Sequence, residues 1–468
     1  MTQAAQTTAM QSGGLADVMS ALAARFGDRF AASEAMRSQH GHTLSWIPNE
    51  PPNAVIFAES TQEVAEIVKL CADQRVPVIP FGAGSSLEGH LNAPMGGISI
   101  DLSRMNKIIE VHADDLDCVV EAGVTRQQLN EHLRDTGLFF PVDPGAEATF
   151  GGMAATRASG TNAVRYGTMA DNVLNLTAVM ANGDIIKTGT RARKTAAGYD
   201  LTHLLMGSEG TLGIITELTI RLYGIPESVV VAVCPFETLE GACNTTIAAI
   251  QLGLGLARIE LLDGLQVKAC NLYSKLDLPE VPTLFLEFHG SPAATREQVE
   301  TLREITEGEG GGAFEWAERE EDRNRLWKAR HDVYWAARGL GPGLDAVITD
   351  VCVPISRLAE CVRETHEDIA RCGFVAPLVG HVGDGNFHLL VLVDMKNAKE
   401  VKEVEAFVDR LVERAQHMEG TCSGEHGIGQ GKMKHLRAEY GAGIDVMAAI
   451  KRSLDPHNIL NPGKIFEL

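Results

Sequence analysis

Two glycine-framed segments late in the chain concentrate the side chains that could do chemistry. They are "GHVGDGNFHLLVLVD", which carries His381 and His388, and "CSGEHGIGQGK", which carries Glu425 and His426. In a straight strand His381 and His388 would face opposite sides, because their separation is odd and side chains alternate. The Gly383-Asp384-Gly385-Asn386 turn lifts that constraint. Bent there, the two imidazoles can converge, and a carboxylate from Glu425 would complete a three-ligand metal site with positions open for substrate or water. A hydrogen-bonded histidine pair at a hairpin end is the other reading, and no H-E-x-x-H frame decides between them.

His426 lies beside Glu425 and between glycines, which suits a general base or an imidazole that only orients Glu425. Arg330, in "RLWKARHDVYWAARG", sits on an expected helix. Its planar fork fits a carboxylate in a bidentate way, though a solvated surface charge is the commoner fate of an arginine. In "PFGAGSSLEGH", Gly82, Gly84 and Gly89 allow a tight turn whose N–H groups face an anion, and Ser85 and Ser86 add hydroxyl donors. It is not the G-x-G-x-x-G fingerprint, because Leu87 stands at the third glycine, and a plain turn is the alternative. The small-residue run "PVDPGAEATFGGMAATRASGTNAVRYGTMADNV" suits a backbone packed on a flat ligand or a long surface loop; Arg165 and Tyr166 favour the ligand.

The elements that must position these groups are legible in part. The 468 residues allow two or three domains, and 45% hydrophobic with 22% charged residues is ordinary globular composition. A formal net charge of −21 disfavours nucleic acid and anionic lipid as main partners. No window approaches an apolar membrane span, and "MTQAAQTTAMQSGG" lacks the basic-then-apolar order of a secretory signal, so a cytoplasmic protein is expected. The nine cysteines form no C-x-x-C or C-x-x-C-H, which leaves no local signature for an iron–sulfur cluster or c-type haem.

A short helix is expected around "LADVMSALAARFG". "STQEVAEIVKLCADQ" predicts a helix capped at Ser60 or Thr61, with Val64, Ile67, Val68 and Cys71 on one face, and "VPVIP" a strand entering the glycine loop. "GGISIDLSRM" and "DCVVEAGV" read as strands, "TRQQLNEHLRDTG" as a capped helix, and Asn182-Gly183 as a tight hairpin turn. Further on, "LEGACNTTIAAIQLGLG", "ATREQVETLREITEG" and "EDRNRLWKARHDVYWAARG" read as helices that alternate with the strands "PTLFLEFHG" and "FHLLVLVD". These readings make the chain α+β in two parts. The tail "LDPHNILNPGKIF" is loop-like but punctuated, so something should hold it down.

The blocks "PFGAGSSLEGH", "DPGAEATFGGM", "ASGTNAVRYG", "GSEGTLGIITE", "GHVGDGNFH", "GEHGIG" and "NPGK" occur in the order seen in flavin enzymes of the vanillyl-alcohol oxidase/p-cresol methylhydroxylase superfamily. Within it the chain resembles the cytochrome-type D-lactate dehydrogenases and their relatives, D-2-hydroxyglutarate dehydrogenase and the glycolate oxidase D subunit. The resemblance runs from about residue 50 to the C-terminus.

It implies an α+β fold, with a two-lobed FAD-binding domain of p-cresol methylhydroxylase type and a central α+β cap or substrate domain. The boundaries would be an N-terminal segment 1–50, the FAD-binding domain 51–226, the substrate domain 227–420, and 421–468 returning to the FAD domain. Pro80, Gly82, Ala83, Gly84, Ser85, Ser86 and Gly89 would form the loop that holds the pyrophosphate. Pro144, Gly145, Thr149, Gly152, Ser159, Gly160, Arg165 and Gly167, then Glu209, Gly210 and Ile215, would line the flavin and its adenosine half, and Asn461 would return to the cofactor. Covalent flavin relatives often have a His where this chain has Ser85, so noncovalent FAD is implied, with His90 discounted as an attachment point.

Family members similar to this chain bind zinc or manganese through the residues matching His381, His388 and Glu425, and Arg330 matches the arginine that takes the substrate carboxylate. His426 would then remove the proton of a cation-bound hydroxyl while the α-hydrogen leaves as hydride to flavin N5. The implied reaction is oxidation of a small anionic D-2-hydroxy acid, D-lactate first, to the 2-oxo acid, with His381 and His388 also facing the substrate. Relatives that take the diacid tend to carry an extra basic residue after the arginine helix; Gly339 to Pro354 has none, which favours a monocarboxylic side chain. Glycolate or D-2-hydroxyglutarate oxidation stands as the alternative within the family, and a flavin-free metal-dependent hydrolase outside it. With no second redox centre of its own, the chain would pass electrons to an external cytochrome, quinone or electron-transfer flavoprotein. A homodimer is compatible with the resemblance, and any membrane contact would be peripheral, at the inner membrane.

Overall fold

The computed structural model describes residues 3–43, 45–317 and 319–468. The chain divides into two units: Met1–Ser159, Thr168–Gly224 and Glu425–Leu468 form the first, Gly160–Gly167 and Ile225–Gly424 the second.

The first unit holds two sheets. In the four-stranded sheet the order is Phe30–Ala31, Ala54–Phe57, Ile98–Asp101, Val78–Phe81, and the last three strands run parallel. Parallel neighbours need a crossover, supplied by the helix Thr61–Asp73. Ser60 Oγ caps it by accepting from Glu63 N–H, and Val64, Ile67, Val68 and Cys71 bury one face. The five-stranded sheet is antiparallel, in the order Ile108–His112, Asp117–Glu121, Ile214–Arg221, Val173–Val179, Ile185–Lys187. Its last two strands form the hairpin expected at Asn182-Gly183, where Gly183 takes φ +83°.

The tail is held down by hydrogen bonds. Val78 N–H donates to Ile459 O and Asn461 N–H to Val78 O, so Leu460 extends the edge of the parallel sheet. Lys451 Nζ, buried, donates to Thr211 O and Leu460 O and fixes the last helix, Gly443–Leu454, to the same place.

The second unit is built on an eight-stranded antiparallel sheet with the order Glu315–Ala317, Ser228–Pro235, Thr283–Gly290, Leu256–Leu262, Leu378–Gly380, Asn386–Val393, Asp345–Ile348, and with Val351–Cys352 also paired to Asn386–Val393. Among the described residues no helix is long and apolar enough to cross a membrane, and all nine cysteines are free thiols.

Two expectations need correction. The N-terminal helix runs over Gln3–Phe26, well before Leu15. Apolar periodicity starts only at Leu15, where Val18, Leu22 and Phe26 reach the core, so the earlier turns carried no signal. The segment "EDRNRLWKARHDVYWAARG" forms two helices, Glu320–His331 and Val333–Gly339. Asp332 (φ −80°, ψ 6°) ends one and begins the next, a break that no glycine or proline marks.

Candidate active site

In the second unit, His381 and His388 do converge. The bend is a single 3₁₀ turn, Val382–Asp384, closed by Gly385 at φ +79°. A Cβ at Gly385 would also lie 2.0 Å from Val353 O, so only glycine fits there. The imidazole centroids stand 5.4 Å apart at 82°.

Each ring has its tautomer set from behind. His388 Nδ1–H donates to Thr349 O at 3.0 Å, and His381 Nδ1–H donates to Glu260 Oε1 at 2.8 Å. A carbonyl and a carboxylate can only accept, so each Nδ1 carries a proton, the hydrogen-bonded arrangement typical of metal-ligating imidazoles. Asp350, buried beside His388 with 3.7 Å between Oδ1 and Nδ1, accepts from Asn386 Nδ2 and Ser423 Oγ.

Glu260 was not anticipated. The antiparallel register Leu261↔Gly380 carries it opposite His381, and its Oε2 takes two hydrogen bonds from Arg330, through Nε at 2.9 Å and Nη2. Burial pushes its carboxyl up, but His381 and Arg330 outweigh burial and hold it below the ordinary value. Arg330 is therefore buried and bound to a carboxylate, neither solvated nor lying on a bare helix face. A charged residue inside the apolar strand "LARIELL" was the signal that could have found Glu260, since a buried charge needs a partner.

The segment Gly160–Gly167 belongs to this unit, and with it three residues expected at the flavin, Gly160, Arg165 and Gly167. Arg165 Nη1 donates to Gly255 O, and Tyr166 Oη meets His289 Nδ1 at 2.8 Å.

In the first unit, the glycine loop leaves the Val78–Phe81 strand. A Cβ at Gly82 would fall 2.4 Å from Thr149 Oγ1, and one at Gly210 would fall 2.4 Å from the Pro80 ring. Gly84 and Gly89 adopt φ +73° and +74°. Thr149 caps the helix Phe150–Thr156 by accepting from Gly152 N–H. Ser86 Oγ is buried with no hydrogen-bond partner among the described residues, and an added Cβ at Gly145 would meet no atom within 4 Å. A close-packed glycine backbone with a buried hydroxyl donor fits a pyrophosphate cradle.

Asn461 Nδ2 donates to Glu209 O at 2.7 Å and His90 O at 3.2 Å, so the tail does reach this loop. Pro80, Gly82, Gly89, Thr149, Glu209, Gly210 and Asn461 thus cluster, whereas Ile215 lies inside the five-stranded sheet opposite Ala178. Ser159 Oγ donates to Glu425 Oε2 at 2.6 Å, and His426 Nε2 lies 4.0 Å from Glu425 Oε1.

Comparison with known proteins identifies the family and the fold. A family profile described as FAD linked oxidases, C-terminal domain, matches residues 225–465, and one described as FAD binding domain matches 52–189. A zebrafish (Danio rerio) protein named probable D-lactate dehydrogenase, mitochondrial, is 53% identical, covering 94% of this chain and 89% of its own. An Arabidopsis thaliana protein named D-lactate dehydrogenase [cytochrome], mitochondrial, is 46% identical, covering 88% and 73%. The structure of p-cresol methylhydroxylase with substrate bound superposes with TM-score 0.79 at 17% identity, covering 97% of each chain, and bears out the α+β fold of that type.

The mitochondrial names overturn the expectation of a cytoplasmic protein with peripheral contact at the inner membrane. A missing secretory pattern excludes one address only, because transit peptides follow a different pattern that the secretory test does not read. The two profiles and the identities reaching 53% over nearly the whole chain place it: this FAD-binding flavoprotein oxidoreductase belongs to the FAD-linked oxidase family.

Proposed function

We propose that the chain oxidises D-lactate to pyruvate with noncovalently bound FAD and a divalent cation, zinc or manganese. The observation that carries the reading is the converging pair His381 and His388, each held through Nδ1 by an acceptor, in a chain whose relatives at 53% and 46% identity are named D-lactate dehydrogenases.

Residues 51–226 and 421–468 form the FAD-binding domain in this reading, and 227–420 the substrate domain. The loop from Pro80 to Gly89 and Thr149 hold the pyrophosphate; the remaining flavin-lining residues run from Pro144 to Ile215, with Asn461 closing from the tail. Ser85 leaves no histidine for covalent attachment at that loop position. Bound FAD supplies the two-electron acceptor. A cation held by His381, His388 and Glu425 supplies a Lewis acid that lowers the pKa of the substrate hydroxyl.

The chain's own groups do the rest. Asp350, which accepts from Ser423 Oγ and Asn386 Nδ2, stands beside His388 and helps to fix its surroundings. His426 takes the hydroxyl proton. Arg330, kept rigid by Glu260, orients the carboxylate of the acid. Electrons leave to an external acceptor, a cytochrome in keeping with the name of the Arabidopsis relative.

The test is anaerobic mixing of the purified protein with D-lactate, L-lactate, glycolate and D-2-hydroxyglutarate while following flavin absorbance, before and after chelation. Bleaching by D-lactate and not L-lactate, lost on chelation and restored by zinc or manganese, is expected. A flavin that D-lactate does not bleach would sink the substrate assignment. Bleaching that survives verified metal removal would return His381 and His388 to a structural role.

A further inference from the structure

The residue Glu209 of "GSEGTLG", expected to line the cofactor, has its carboxylate on the backbone of another loop. Oε1 accepts from Ile428 N–H at 2.7 Å and Oε2 from Gly429 N–H at 2.8 Å, and His90 Nε2 lies 3.2 Å from Oε2. Ile428 and Gly429 belong to the loop that begins with Glu425 and His426. A carboxylate that accepts two consecutive backbone N–H groups fixes the path of the chain, here two residues beyond His426.

The rest of that loop is gripped in the same way. Glu88 O accepts from Gln430 N–H at 2.7 Å and Gly431 N–H at 3.2 Å, and Gly429 O accepts from Ile465 N–H at 2.9 Å. The glycines make the grip close. Gly427 has φ +79°, and a Cβ there would lie 2.6 Å from Glu209 Oε1 and 2.8 Å from His90 Nε2. Gly429 has φ +48°, and its Cβ would lie 2.0 Å from Glu88 O.

Glu209 is also strained, at φ +53°, a region where a residue other than glycine persists only when its surroundings overdetermine it. Asn461 supplies part of that constraint by donating to the carbonyls of Glu209 and His90 together. Burial pushes the Glu209 carboxyl up, but His90 and the two N–H donors outweigh it and hold the carboxyl below its ordinary value, so it grips as an anion.

We propose that Glu209 is a positioning residue for the reaction: its carboxylate holds the Ile428–Gly429 backbone so that His426 stands where it can take the substrate proton. This rests on the base role given to His426 above. Glu88 O grips the next two residues of the loop, Gln430 and Gly431, while Glu209 is the side chain that holds the pair nearest His426. No contact of Glu209 with the flavin is needed.

The test uses the FAD-loaded protein and the variants Glu209→Gln, His426→Gln and the double variant. Three readouts are taken: flavin content, the rate of anaerobic flavin bleaching at saturating D-lactate, and amide hydrogen exchange of the peptide spanning 425–431. Glu209→Gln should keep its flavin, exchange faster at Ile428 and Gly429, and bleach roughly 10- to 100-fold more slowly, the scale expected for a displaced catalytic group. On the His426→Gln background the same change should slow bleaching by less than about twofold, because the two act as one unit. Full additivity in the double variant overturns the proposal, as does an unchanged bleaching rate or loss of the flavin from Glu209→Gln. His426→Gln bleaching as fast as the parent would instead overturn the base role, and the proposal with it. Should the amide variant not fold, Glu209→Asp, which keeps the charge and shortens the reach by one methylene, gives the same comparison.

Discussion

Replacing Glu260 with glutamine tests whether a single buried carboxylate holds Arg330 and His381 in working order. The carboxylate takes two hydrogen bonds from Arg330 on one oxygen and one from His381 Nδ1 on the other. Glutamine keeps the volume but has one acceptor oxygen. Whichever way the amide turns, its NH₂ faces an N–H donor. If it faces Arg330, the guanidinium loses its partner; if it faces His381, the ring proton must move to Nε2, the nitrogen needed for a metal. Removing one member of a buried ion pair costs about 3–5 kcal/mol, and a surviving charge-assisted hydrogen bond returns about 1.5–3, so a net loss of about 2 kcal/mol is expected. Metal affinity should fall about 10- to 100-fold, as for other carboxylates that orient a ligating histidine. Urea unfolding followed by tryptophan fluorescence reads the first quantity, since Trp316, Trp327 and Trp335 all lie in the second unit. Equilibrium dialysis against manganese reads the second. A Glu260→Gln protein with the parent's urea midpoint and manganese affinity would refute the reasoning.

Three further outcomes are expected. Gly82→Ala drives a methyl into Thr149 Oγ1, and the flavin-to-protein absorbance ratio should drop several-fold, whereas a ratio equal to the parent's would contradict the cradle. Ser159→Ala removes the 2.6 Å hydrogen bond to Glu425 and should weaken manganese binding about tenfold, checked by dialysis. Burial pushes the Lys464 ammonium down to about 8 from 10.5, with Glu50 and Glu209 opposing it in part. Between those values the unfolded side chain holds a proton that the folded one has released, so this group's contribution to stability rises with pH through that window. The gain in urea midpoint from pH 7.5 to 9.5 should therefore be smaller in Lys464→Met than in the parent, and an equal gain in both would contradict the assignment.

Local patterns were the legible ones. The helix Thr61–Asp73 announced itself through Ser60 and a four-residue apolar stripe, the hairpin at Asn182-Gly183 through its turn residues, and the approach of His381 to His388 through the glycines between them. Glu260, Asp350 and the grip of Glu209 on Ile428 were not legible, because each is a lone carboxylate whose partners lie far along the chain or follow from register. The break at Asp332 escaped for the opposite reason: the apolar pattern continues across it, while burial changes from Ala329 and Arg330 to Val333, Ala336 and Ala337.

The bond between Val78 and the Ile459–Asn461 tail bears on biosynthesis. The Val78–Phe81 strand lies at the end of its sheet, and its outer edge is met by residues made about 380 positions later. At roughly 5–20 residues per second, a ribosome needs tens of seconds to supply them. Throughout that interval the nascent chain carries an unprotected strand edge of the kind that templates aggregation. The first unit is thus begun first and finished last, so premature termination near residue 450 would leave a protein with most of its sequence and an adhesive flank.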